Sequence, residues 1–144
     1  RRFPFFSGFT QDHIVTLAKY AEEQKVEKDH YFHREGDQLR NFFIIVEGEV
    51  NIVSSLPQKD KEVIITTLAA GDLFGWSALV PPYVATAGAK AVIQGKVISF
   101  NAEELLNIFE NDCKFGYLMM QKVAQVIRDR LNVIRVETLA YQAS

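Results

Sequence analysis

The sequence has one cysteine, Cys113, which excludes an internal disulfide and fits a reducing, cytoplasmic compartment. Basic residues are not in excess. Sixteen Lys and Arg against eighteen Asp and Glu leave a net charge of −2, so the chain lacks the electrostatic footprint that direct nucleic-acid binding needs. No apolar run approaches the ~20 residues of a membrane span, and no signal-peptide pattern is present. Histidines are sparse. His30 and His33 are separated by an odd offset, so on one strand they face opposite sides and make poor joint metal ligands, better read as surface or turn residues. His13 stands without a partner on an expected helix. Ser77 follows Gly75-Trp76, but Leu79 occupies the place where a nucleophile elbow needs its second glycine. Glu103-Glu104 reads as helix N-terminal charge rather than as a catalytic pair. Cys113 lies near a helix start, where a thiol can be activated, yet an inert, partly buried thiol is expected. No catalytic constellation and no metal or cofactor site follows, and the chain is expected not to be an enzyme.

What is present is an ordinary globular balance, 48% apolar and 24% charged residues, with 144 residues in which to bury a core. Residues 1–144 read as one domain with helical ends and a β middle. The first 27 residues form a helical segment, with Thr10 as N-cap, Ile14, Leu17, Ala18 and Ala21 at helical spacing, and Glu22, Glu23 and Lys25 as a polar end. Residues 28–100 alternate short strands and turns: 30–34, 42–46, 50–53, 63–68, 85–92 and 96–100. A polar loop holding Pro57 spans 54–62. Evenly spaced short strands with Gly-Asp turns point to a closed or jelly-roll β architecture. Residues 101–144 are helical again, opening on the capping pattern Asn101-Ala102-Glu103-Glu104.

The most distinctive stretch is 71–89. Gly71-Asp72-Leu73-Phe74-Gly75 opens a very short helix, Pro81-Pro82 stops it, and small residues follow from Ala85 to Ala89. A helix start carries unpaired N–H donors, and nearby glycines let a ligand approach the backbone, so the layout suits an anion.

With Phe32-His33-Arg34-Glu35-Gly36-Asp37, the run Phe43 to Val50 and Ala70-Gly71-Asp72-Leu73-Phe74-Gly75, the chain resembles the cyclic nucleotide-binding domains. These are the ligand sensors of catabolite-activator-type regulators, cyclic nucleotide-dependent kinases and gated channels. The resemblance implies an eight-stranded β-roll with an N-terminal helix, a phosphate-binding cassette inside the roll and a long C-terminal helix. It implies a ligand site at Phe74, Gly75, Trp76, Ser77, Ala78, Ala85, Thr86 and Ala87. In the family, backbone N–H groups of the cassette helix hold the cyclic phosphate. A glutamate after the cassette glycine binds the ribose 2′-hydroxyl, and an arginine at the start of the next strand pairs with the phosphate. Gly75, Ser77, Ala78 and Leu79 match the helix, while Thr86 and Ala87 match the small residues that line the pocket. Trp76 stands at the glutamate position and Ala85 at the arginine position. A hydrogen bond to a charged group is worth ~1.5–3 kcal/mol, so losing the arginine weakens phosphate binding roughly ten- to a hundredfold. No basic residue lies between Gly71 and Ala89 to replace it, and Lys90, on the same strand, would face away from Ala85. Trp76 either stacks on a base or sugar face or fills the pocket.

The last helix, from near Asn111 to about Tyr141, repeats Met120, Ile127, Ile134 and Tyr141 every seven residues, with Ala124, Leu131 and Thr138 between them. Met120, Ile127, Leu131 and Ile134 are the expected seam of a homodimer; one broad stripe folded onto the domain itself is the alternative. The residues to Ser144 are expected to hold no DNA-reading element of their own, so either the domain stands alone or an attached output module or a separate protein partner carries the response. Two functions remain open. One is a sensor that binds cAMP or cGMP weakly, or another small anion, and signals through its last helix. The other is a ligand-free dimerisation or docking module whose pocket is filled by Trp76.

Overall fold

The computed structural model describes residues 3–56 and 61–143. A short 3-10 turn, Pro4–Phe6, leads into α1 (Gln11–Lys19), and eight strands follow before α2 (Ala102–Asn111) and α3 (Cys113–Ala143). The strands are β1 (Ala21–Val26), β2 (Tyr31–His33), β3 (Asn41–Glu47), β4 (Val50–Leu56), β5 (Lys61–Leu68), β6 (Leu73–Phe74), β7 (Gly88–Ala91) and β8 (Gly95–Asn101). They form two antiparallel four-stranded sheets, ordered β1-β8-β3-β6 and β2-β7-β4-β5. This is the β-roll with flanking helices that the sequence implied.

Thr10 caps α1 as expected. Its hydroxyl accepts the His13 N–H at 3.2 Å, and His13 Nδ1 accepts the Thr10 N–H at 3.3 Å, so two orphan donors of the first turn are satisfied reciprocally. His13 therefore has partners. Its ring also stacks on Phe115 with centroids 4.3 Å apart, and its Nε2 lies 4.0 Å from Asp112 Oδ2. Asn101 caps α2 through the Glu104 N–H, with Glu103 and Glu104 in the first turn.

Three local expectations are corrected. Residues 22–25 do not end a helix. They belong to β1, which pairs with β8 from Ala21↔Phe100 to Val26↔Gly95, so the roll begins inside the first 27 residues. Glu, Gln and Lys favour helix locally, but β8 would otherwise present an unpaired edge, and pairing wins. The polar loop at 54–62 is shorter than expected: Ser54, Ser55 and Leu56 pair with Val63, Glu62 and Lys61, while Pro57 lies outside the described residues. The strand expected over 85–92 is ordered as β7 only from Gly88.

β3 is buried on both faces. Phe42 and Ile44 turn toward the helices and join Leu17, Leu79, Leu105, Phe115 and Met119. Phe43 and Ile45 turn into the roll with Val50, Leu68, Phe74 and Val97. Period-two geometry assigns alternate residues to separate cores. Phe74 is 0% exposed and stacks on Phe43 with centroids 4.9 Å apart, which ties β6 to β3. α2 and α3 meet closely at Gly116, where an added Cβ would lie 2.9 Å from Phe109 Cβ.

Phe74→Ala is expected to cost about 3–5 kcal/mol, read as a lower urea midpoint with an unchanged slope. A loss within a few tenths of a kcal/mol would show that the roll core does not depend on this ring.

Candidate functional site

β6 pairs with β3 through Phe43↔Phe74 and Ile44↔Leu73, delivering the chain to Gly75 at a fixed point. Gly75 adopts the left-handed conformation, φ 76° and ψ 23°, and starts the 3-10 helix Trp76–Leu79. A Cβ there would also press on Asn41 O and the Phe43 ring at 3.3 Å, so glycine is required on two counts. Ala78 N–H donates to Gly75 O and Val80 N–H to Ser77 O, each at 3.1 Å. Opposite, the Ala85 segment is fastened by backbone bonds. Ala85 N–H donates to Asp37 O at 2.8 Å, and Ala85 O accepts the Gly36 N–H at 2.9 Å.

These segments enclose a cavity of about 260 Å³. Gly75, Trp76 and Ser77 line one side, Ala85, Thr86 and Ala87 another, and His33, Ile52 and Thr66 the sheet wall. Ile127, Arg130, Leu131 and Ile134 of α3 close it. Six of the eight expected site residues are thus brought together. Phe74 and Ala78 are not among them: Phe74 is consumed by the roll core, and Ala78 is buried under the helices. Trp76 does not fill the pocket. It is half-buried, packs against the helical core and leaves its ring as one wall.

The expected dimer seam is partly spent inside the domain. Met120 and Ile127 are half-buried against the helical core, whereas Leu131 and Ile134, 62% and 40% exposed, stand at the cavity mouth. Cys113 is exposed rather than partly buried. Among the described residues, no group of three or more His, Cys, Asp or Glu side chains is placed to hold a metal ion.

Two titratable residues of the cavity escaped the sequence reading. Arg130 reaches back from α3 and donates to the Leu73 carbonyl at the entry to the cassette. Burial lowers its pKa to about 10, against the pull of the Asp72 carboxylate, which favours the charge. It remains a cation at neutral pH. Its position was open to inspection, since residue 130 lies three after Ile127 and four before Ile134, on the same helix face. A second cavity, about 420 Å³, lies between Pro4–Phe5, the β5–β6 turn and α3, and Arg130 borders both. The larger cavity contains none of the expected ligand-site residues.

His33 is the other. It is not a surface histidine: it is 9% exposed, and neither ring nitrogen has a hydrogen-bond partner. An unsatisfied buried polar group costs ~1–3 kcal/mol. Burial pushes its pKa below the usual 6.5, opposed by the Asp37 carboxylate and by the nearby Ala87 backbone. His30, at the odd offset, is exposed, so the opposite-face expectation holds while the surface assignment of His33 does not.

The family model for the cyclic nucleotide-binding domain matches residues 23–112, most of the chain. The protein belongs to the cyclic nucleotide-binding domain family. Among its relatives, the cGMP-dependent protein kinase egl-4 of Caenorhabditis elegans is 27% identical over 135 residues, covering 91% of this chain but 17% of the kinase. The chain spans less than a fifth of that relative. A cyclic nucleotide-binding domain from Methylobacillus flagellatus superposes with a TM-score of 0.83 at 20% identity, covering 96% of this chain and 78% of that one. The catabolite activator protein of Thermus thermophilus gives 0.75 at 19% identity, covering 96% and 63%. No helix among the described residues is long and apolar enough to cross a membrane.

His33 sets an expectation for acid stability. Above its usual value of 6.5, the imidazole is neutral in both the folded and unfolded chain. As pH falls through that value, the unfolded chain takes up a proton that the folded one resists, so stability falls until the lower, folded pKa is passed. His33→Phe should flatten the loss of melting temperature between about pH 7 and pH 5. Parallel curves for the two proteins would show that His33 does not titrate differently on folding.

Proposed function

We propose that this domain is a ligand-sensing regulatory module whose cassette cavity takes a cyclic nucleotide weakly, or another small anion, and passes its occupancy to α3. The observation that carries this reading is that the cassette and α3 line one cavity, with Trp76 and Ser77 on one side and Ile127 and Arg130 on the other. A ligand touching both acts on the helix position directly. It shifts the population of helix arrangements by its difference in affinity for them, and no chemical step is required. The kinase and activator relatives support a regulatory role, and an attached module or separate partner would supply the output.

Trp76 is the sole tryptophan and lines the cavity, so its fluorescence reports occupancy without a label. Titration with cAMP and cGMP is expected to give a saturable change, lost in Ser77→Ala or Thr86→Ala. Melting temperature should rise with ligand concentration, since binding at a hundred times Kd adds ~2.7 kcal/mol. A flat response to millimolar nucleotide with no thermal shift would exclude the nucleotide reading.

A second reading is favoured by the far half of α3, where Leu131, Ile134 and Tyr141, within about 80° of one another around the helix, are all exposed. Such a patch on a helix with seven-residue periodicity suits a homodimer with a second copy of this chain. Sedimentation equilibrium should then show dimers that Leu131→Glu with Ile134→Glu returns to monomers. A monomer at all concentrations would remove this reading.

A further inference from the structure

We propose that Arg130 and His33 supply, from α3 and β2, the polar ligand contacts that Ala85 and Trp76 do not provide, so that the bound anion is held by α3 itself. The inference rests on the proposed ligand-sensing reading and names the residues that make it work.

The cavity wall decides the sign of the ligand. Among the described residues, no aspartate, glutamate or lysine lines it; Arg130 is the fixed cation and His33 the other titratable group. A cavity whose permanent charge is positive and whose remaining wall is largely apolar disfavours cations. It suits an anion carrying a flat apolar body that Trp76 can cover. The larger cavity that Arg130 also borders is lined by Asp72 and Asp129 as well as Lys122, so its carboxylates offset its cations and it lacks the positive excess of the smaller one.

Both groups have capacity to spare. The guanidinium carries five donors, and its hydrogen bond is to the Leu73 carbonyl, a neutral acceptor that a phosphodiester oxygen outcompetes as a partner for a cation. His33 is nine-tenths buried on the cavity wall, with the Ala87 backbone beside its ring and no well-formed hydrogen bond to either nitrogen. A neutral imidazole there offers one donor and one acceptor to a ligand hydroxyl or phosphate oxygen. The two residues come from opposite sides of the cavity, so a ligand that engages both ties α3 to the roll. An arginine at position 85 would anchor the same ligand to the roll alone.

The test is Trp76 fluorescence titration with cAMP and with cGMP on the wild type, Arg130→Gln, Arg130→Lys and His33→Phe. Arg130→Gln is expected to weaken binding of the better nucleotide ten- to a hundredfold, and Arg130→Lys less, since the charge survives without the planar fork. His33→Phe should weaken it about three- to tenfold. If Arg130→Gln does not fold, the Arg130→Lys and His33→Phe titrations decide. A wild type that responds while these variants keep its affinity overturns this assignment and leaves the sensing reading intact. A wild type silent to both nucleotides overturns the nucleotide form of the sensing reading and this assignment with it.

Discussion

Burial of β3 on both faces is the constraint from which the rest follows. Phe42 and Ile44 anchor the helices, and Phe43 and Ile45 anchor the roll interior. One strand therefore holds two cores in register, because a one-residue slip would exchange every partner. β6 is tied to this strand by ring stacking and two backbone pairs, and Gly75 follows immediately. The cassette is thus placed by the strand that is least able to move.

Around that fixed point, the charge distribution departs from what the family resemblance implies. The cassette brings backbone, hydroxyls and an indole to the cavity, but no cation. The cation comes from α3, fifty-seven residues beyond Leu73, and lies against the cassette entry. Electrostatics and helix position are consequently one variable here. Any anion that recruits the guanidinium acts on the helix, and any movement of the helix alters the charge in the cavity. The apolar face of α3 is divided in the same way, its first half spent on the domain core and its far half left at the surface.

Much of the fold was legible because glycine turns and alternating strands are local signals. The runs at 42–46, 50–53 and 63–68, the caps at Thr10 and Asn101 and the long last helix all appear in the residues themselves. β1 was not legible, because Glu22 to Lys25 carry no strand preference and pair only because β8 lies beside them. Six of the eight residues named through the resemblance line one cavity, whereas Phe74 and Ala78 looked the same in sequence and were claimed by the core. Arg130 was missed because a stripe was counted by its apolar members, and a long side chain can reach inward from such a stripe. His33 was missed because strand parity separates it from His30 without saying which of the two is inside.

Gly116 has a mechanical consequence. The absent side chain lets α3 pack closely against Phe109 near its start, while the helix runs on for twenty-five residues to Tyr141, so a tilt about this contact would act on a long arm. At 1.5 Å per residue, that arm is roughly 38 Å long, so a tilt of about 10° there carries its tip through about 6–7 Å. The same tilt carries the cavity-lining turns of α3, Ile127 to Ile134, through roughly 3–5 Å, so the displacement at the cavity is passed on enlarged toward Tyr141.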